Sequence, residues 1–382
     1  LLPEVRDWRF ASFQETDIGP GWHERALPAL LDKIGTKEQI ACRLVAREPW
    51  DFFMVVFGES DTVAHHFWLF HDPESPRHQA GHPTAIRDVY ERLDAAVGRL
   101  VAAAGDDVTV GVVSDHGFGG AGTGVVHLNN WLAENGYLTF SGEGVSWLKR
   151  AALTLTPEHA RGMLFRRLRG LATRAESASR FGGIDFSRTT AWSEELNYFP
   201  SVRVNLAGRE PQGQVRAEDY AGFVEDLCAG LEAWEPIAHA WPRETLYDGP
   251  YVDRAPEIVI ELALEDGYRP SCLRGRGGAA CRRLRPEEYL GGKERGMNGT
   301  HRSMGVLFLS EPSEAQAASL ADVAPTVLAR LGVSAPPMDG TPLLGNALST
   351  ASTASTVSTE SPYTPAEEAE IEARLRKLGY LE

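Results

Sequence analysis

Residues 52–57, Phe-Phe-Met-Val-Val-Phe, and 108–113, Val-Thr-Val-Gly-Val-Val, are runs in which apolar side chains follow one another almost without polar interruption. A half-exposed strand alternates, so an unbroken run of this length predicts a strand buried on both faces, as in a parallel sheet. Between them, from about Pro83 to Ala104, Val89, Leu93, Val97 and Leu100 recur at helical spacing and Gly105 follows. That pattern is an amphipathic helix with its stop signal. Strand, helix and strand make a βαβ unit, whose crossover is expected to be right-handed. The same kind of pattern returns late in the chain. Gly305-Val306-Leu307-Phe308-Leu309 predicts a further strand, and about Leu320 to Leu331 a helix closed by Gly332.

The remaining elements are shorter. A capping box at Thr36-Lys37-Glu38-Gln39 opens a predicted short helix with Ile40, Leu44 and Val45 on one face. Leu128 to Tyr137 reads as helix and Ile258-Val259-Ile260-Glu261-Leu262 as strand, inside a stretch rich in turns and arginine. Residues 349–361 are almost all Ser, Thr and Ala, a flexible linker. A last helix begins at the capping box Thr364-Pro365-Ala366-Glu367 and places Ile371, Leu375 and Leu378 on one face.

Charge and cysteine content narrow the classes of function. A net charge of −15 argues against a nucleic-acid polymer as partner, since that task needs a basic surface. No apolar run approaches the ~20 residues of a membrane-spanning helix. Cys42, Cys228, Cys272 and Cys281 have no CxxC spacing and read as free thiols rather than a disulfide framework. No signal sequence is visible, which favours the cytoplasm. Lys149, Arg150, Arg161, Arg166, Arg167, Arg169, Arg174 and Arg180 make residues 145–180 a basic region inside an acidic protein. It reads as a solvated helix face first, and as a membrane-surface contact second. Oligomeric state is left open by these features.

Candidate chemistry gathers at the carboxyl ends of the predicted strands. The 108–113 run stops at Ser114-Asp115-His116-Gly117, and the 52–57 run is followed by Asp61 and His65, one helical turn apart. The strand at 305 is preceded by Gly299-Thr300-His301-Arg302. Open α/β sheets place their sites at such strand ends. Each segment alone also suits a polar turn or a helix cap. Together, Asp61, His65, Asp115, His116 and His301 are five ligands of the type that holds zinc or manganese. Five exceed one tetrahedral site and fall one short of two three-ligand sites. Two divalent ions about 4 Å apart suit displacement at phosphorus. Asn298-Gly299-Thr300 matches a glycosylation sequon, treated as chance because it adjoins the candidate site.

The order Asp61-x-x-x-His65, Ser114-Asp115-His116-Gly117-Phe118, Gly299-Thr300-His301-Arg302, then DVAPTVLARLGV with a trailing MDGTPL, resembles the alkaline phosphatase superfamily. The branch it resembles most is the type I phosphodiesterase/nucleotide pyrophosphatase group. NYFPSVRVNLAGREPQGQV and the terminal RLRKLGYLE resemble a bacterial group within it. The resemblance runs from about residue 48 to the C-terminus. It implies an α/β fold, a three-layer α/β/α sandwich with a mostly parallel sheet and an inserted cap. The core would comprise residues 1–120 and 301–348, with 121–300 as cap or insertion, 349–361 as linker and 362–382 as terminal helix.

By the same resemblance, Asp61, His65 and His301 would hold one metal and Asp115 with His116 the other. Ser114 and Gly117 would shape the strand end, and Asn205, Arg209 and Arg302 would lie near the substrate. The implied activity is metal-dependent hydrolysis of a small anionic phosphate ester, with phosphodiesters favoured and two divalent ions, zinc or manganese, as cofactors. The family's Thr or Ser nucleophile and one further metal-binding Asp belong to a region upstream of the Asp61 motif, and nothing in residues 1–60 matches it. The expectation is therefore an incomplete enzyme with little turnover and an uncovered sheet edge. Rival readings are a non-catalytic ligand-binding protein on the same fold and a sulfatase or phosphomutase relative.

Overall fold

The computed structural model describes residues 21–141, 183–289 and 297–345. The basic region 145–180, the linker 349–361 and the terminal helix 362–382 lie outside them. The first helix, α1 (Trp22–Arg47), starts well before the capping box at Thr36. Its buried face, Trp22, Ala26, Leu30, Ile34 and Ala41, repeats at helical spacing, which favours continuing the helix through 36–39 over starting one there. Thr36 instead bonds back to Asp32 O, four residues earlier. Helices α2 (Glu59–His71) and α3 (Ala85–Ala104) complete a helical layer. Val63, Phe67, Phe70, Ile86 and Val89 pack against the α1 stripe. Glu38, on the same helix, accepts from Arg92 Nη1 at 2.6 Å and from Arg99 Nη2 at 2.8 Å. The Arg99 bond, with Arg92 behind it, pulls the Glu38 carboxyl down to about 2.

The two apolar runs behave differently from expectation. Residues 52–57 form no strand, and Phe52, Met54, Val55 and Val56 are exposed, Met54 at 72%. Of 108–113 only β1 (Gly111–Val113) is a strand, and it is exposed along its length. A run of this kind predicts burial only where a neighbour covers it, and of the first run only Phe57 is packed against the helical core. The ordered sheet is built instead on the stretch that follows, β2 (Gly117–Val126).

A second layer of structure lies between residues 128 and 262. It comprises α4 (Leu128–Glu134), β3 (Ala191–Trp192), β4 (Ser201–Val204), α5 (Tyr220–Glu232), β5 (Ile237–Pro242) and β6 (Ile258–Leu262). The strands form one sheet in the order β3-β4-β6-β5, all pairings antiparallel. Val202, Val204, Ile258, Ile260 and Leu262 alternate onto one face and pack against Leu128, Leu132, Leu227 and Leu231. Strands β7 (Arg269–Cys272), β8 (Cys281–Arg283) and β9 (Gly299–Arg302) all pair with β2. The β2–β7 pairing is parallel, and those with β8 and β9 are antiparallel. Strand β10 (Leu307–Leu309) pairs with β1 in a separate two-stranded sheet.

The chain is therefore a mixed α/β fold with several sheets. The mostly parallel sheet expected from the sequence is not what the described residues form, because β8 and β9, far along the chain, pair with β2 in the antiparallel sense. A second unit begins at Leu309. Within it, α6 (Val323–Arg330) is entered through Ser319, whose hydroxyl accepts from Ala321 N. Thr326 ties that helix to Leu343 N at 2.9 Å.

One carboxylate in the 128–262 layer makes a pH prediction. Glu195 sits in left-handed backbone (φ 52) and is buried; it accepts from Asn129 N at 3.0 Å and from Gly275 N at 2.8 Å. Burial pushes its carboxyl up to about 7, against the pull of those donors. The protonated form is thus favoured by folding. Its stabilisation is complete below the ordinary glutamate range and is lost as pH rises toward 7. Chemical unfolding of the parent should show a loss of about 2 kcal/mol from this group between pH 5 and 7. Glu195→Gln should flatten that slope. Equal slopes in the two proteins would contradict this assignment.

Candidate metal centre

Helix α2 begins after Gly58 and puts Asp61 in its first turn, where the positive end of the helix dipole favours a carboxylate. His65 follows one turn later on the same side. The start of the helix is fixed by Glu59, a fully buried carboxylate paired with Lys33 at 3.4 Å and Lys37 at 3.0 Å. Strand β9 delivers His301, and the β1–β2 turn delivers Asp115 and His116. In the β2–β9 register Phe118 faces His301, and the Phe118 ring also meets His65 edge-on at 4.7 Å.

Asp61 Oδ1 is the hub. It lies 3.3 Å from His65 Nε2, 3.4 Å from His301 Nε2 and 3.7 Å from His116 Nε2. His65 Nε2 and His301 Nε2 are 3.1 Å apart. Ligand atoms held about 2.0–2.1 Å from a tetrahedral zinc lie roughly 3.3 Å from one another. The spacing of Asp61, His65 and His301 is therefore that of three corners of a metal tetrahedron. Among the described residues Asp61, His116 and His301 form one group able to hold an ion.

The tautomers agree with this. His65 Nδ1–H donates to Gly299 O at 2.8 Å, and His116 Nδ1–H donates to Gly117 O at 3.0 Å. A carbonyl only accepts, so in the neutral ring each Nδ1 carries the proton and each Nε2 offers a lone pair toward Asp61. Burial raises the Asp61 carboxyl; in the metal-free cluster, hydrogen bonds and charge from protonated His301 and His65 outweigh it and hold the group well below the usual carboxylate range, and a bound cation would take the place of those protons. The His116 and His301 rings stack at 3.5 Å.

Of the eight candidate residues, Asp61, His65, His116 and His301 are thus brought together. Among the described residues Asp115 reaches only His116 Nε2, at 3.5 Å, and its side chain is 80% exposed. Asn205 is fully buried, and its Nδ2 donates to Phe186 O, Thr189 O and Gln212 O. Arg209 pairs with Glu257 at 2.5 Å and Glu210 at 2.7 Å. Arg302 donates to Gly120 O and Gly267 O. Among the described residues no contact joins these last three to the cluster.

Positioning residues complete the site, and single-sequence reading gives no sign of them. Asn298 N donates to His65 O at 2.7 Å, and Asn298 is itself buried, which agrees with the sequon being chance. Arg77 has no exposed surface; it donates to Met297 O at 3.0 Å, Asn298 Oδ1 at 3.3 Å, Ser271 Oγ at 3.1 Å and twice to Gly122 O.

The sequence model of the family described as type I phosphodiesterase / nucleotide pyrophosphatase matches residues 5–272. Asp61, His65, Asp115 and His116 fall inside that stretch and His301 beyond it. No curated protein sequence matches. Among solved structures, the chain is similar to phosphonoacetate hydrolase from Sinorhizobium meliloti 1021 in complex with phosphonoformate. The identity is 12%, the match covers 80% of this chain and 61% of that one, and the TM-score is 0.38.

Proposed function

Because the chain belongs to the type I phosphodiesterase / nucleotide pyrophosphatase family, we propose that it is a metal-dependent hydrolase of small phosphate esters, with phosphodiesters as its substrates. The observation that carries the reading is Asp61 Oδ1 within 3.3–3.7 Å of three histidine Nε2 atoms. Asp61, His65 and His301 would hold one divalent ion, zinc or manganese. His116 and Asp115 would contribute to a second. The ions would supply Lewis acidity toward phosphoryl oxygens. Asp61 brings the negative charge that offsets the cation, and Gly299 O and Gly117 O keep His65 and His116 in the ligating tautomer. No nucleophile is assigned. The family's Thr or Ser nucleophile is not matched by any described hydroxyl next to the cluster.

Elemental analysis of the purified chain beside a His301→Ala variant tests the metal reading. About one to two equivalents of zinc or manganese are expected in the parent, with a clear loss in the variant. Hydrolysis of an aryl phosphodiester in preference to the matching monoester would support the substrate class. Equal metal content in parent and variant, or none in metal-supplemented buffer, would overturn the site.

A further inference from the structure

Arg302 follows His301 in β9, so strand alternation sends its side chain to the other face of the sheet. It crosses β2 above Gly119, where a Cβ would lie 2.4 Å from Arg302 Nε. Only glycine leaves room for the guanidinium to pass. Beyond β2, Nη2 donates to Gly120 O at 3.1 Å and Gly267 O at 3.0 Å. Gly267 leads directly into β7. There Arg269 pairs with Ala121, two residues along β2 from Gly119 and therefore on the same face. Two arginines, from strands on opposite edges of β2, thus lie on one face of it, beside Gly119 and Ala121.

Each cation keeps one unsatisfied nitrogen. Arg302 Nη1 and Arg269 Nε are both buried without a hydrogen-bond partner. Among the described residues neither arginine is ion-paired. Burial lowers the affinity of Arg269 for its proton, and Glu261 acts on it in the opposite sense. The fold satisfies its other buried arginines thoroughly. Arg77 bonds to four acceptor atoms, and Arg243 pairs with Glu257, Glu244 and Asp253. Buried orphan donors on two adjacent like charges are unfavourable, and the remedy is a group that accepts several hydrogen bonds while carrying negative charge. Water accepts but does not neutralise. A tetrahedral oxyanion does both, and arginine pairs recognise such anions with charge-assisted bonds.

We propose that Arg269 and Arg302 form a binding site for a small oxyanion of the phosphate or sulfate type, on the face of β2 opposite the metal centre. The bound ion would bridge β7 and β9, and so brace the strand that carries His301.

The test uses the full chain after treatment with a chelator, so that no metal can retain the anion. Titration with inorganic phosphate, at ionic strength held constant with chloride, should raise the melting temperature by about 3 °C at a hundred-fold excess over Kd. Sulfate should act alike. Arg269→Gln and Arg302→Gln, checked for folding by circular dichroism, should each raise Kd at least ten-fold. Arg283→Gln, an exposed arginine on the neighbouring strand, should leave it unchanged. A shift with phosphate but not phenyl phosphate would identify the free ion as ligand; shifts with both would identify the phosphoryl group of a monoester. Either outcome supports the site. The absence of any phosphate-specific shift in the parent overturns it, as does an unchanged Kd in both variants. Crystals of the parent soaked in tungstate give a reading independent of the variants. A peak between the two guanidinium groups supports the site, and a peak elsewhere overturns it.

Discussion

Arg77→Met is expected to destabilise the protein by about 4 kcal/mol, read as a shift of the denaturant midpoint with an unchanged slope. Methionine has nearly the right volume and would leave no large cavity, so packing is not the reason. The loss is polar. Gly122 O, Met297 O and Asn298 Oδ1 are buried and would each lose a donor that no water replaces. An unsatisfied buried acceptor costs roughly 1–3 kcal/mol. Relief of burying a cation works in the other direction. Burial pulls the Arg77 guanidinium down to about 10, a strain of about 3 kcal/mol that the variant escapes. Three orphaned acceptors and a lost charge-assisted network outweigh that gain. Arg77→Lys should fail nearly as badly, since one ammonium cannot span Gly122 and Met297. A change of less than 0.5 kcal/mol in Arg77→Met would mean the network has no net worth.

That Asp61, His65, His116 and His301 would come together was legible because such residue types at informative spacings are few. Asp61 and His65 share a helix face by arithmetic alone, and the other segments sit where strands end. What the sequence could not reveal is that the ligands are oriented by backbone: Gly299 O, Gly117 O and Asn298 N–H carry no side-chain signature. Asn205, Arg209 and Arg302 show the opposite difficulty. A polar residue in a motif reads as available to substrate, yet all three turn inward to carbonyls or acids of their own chain.

The fold was legible to a different degree. Helix α3, the strand at Ile258–Leu262 and the helix before Gly332 follow from periodicity and stop signals, which are local properties. The two apolar runs gave an expectation of burial that the described residues do not meet, because burial depends on a covering neighbour and not on the run itself. Helix α1 was seen only in part. A capping box is a weaker determinant than a continuous buried stripe, and the stripe from Trp22 to Ala41 decides.

Gly299→Ala should uncouple the candidate metal centre from the sheet. Gly299 presses against α2 so closely that an added Cβ would lie 2.2 Å from Ala64 O and 2.9 Å from the Phe118 ring. The first neighbour is backbone, which cannot rotate away, so β9 and α2 must separate by about 1 Å. Two bonds cross that gap and would stretch together: His65 Nδ1–H to Gly299 O and Asn298 N–H to His65 O. The expected loss of stability is about 3 kcal/mol, of the same order as other backbone overpacking. The loss of metal affinity should be larger than the fold alone explains. His65 would no longer be held in the tautomer that presents Nε2, and removal of such an outer hydrogen bond weakens metal sites by about 10–100-fold. Competition with a chromophoric chelator measures the affinity, at a temperature where circular dichroism shows the variant folded. Unchanged affinity in a folded Gly299→Ala protein would show that His65 needs no help from β9, and the ligand assignment would have to rest on Asp61, His116 and His301 alone.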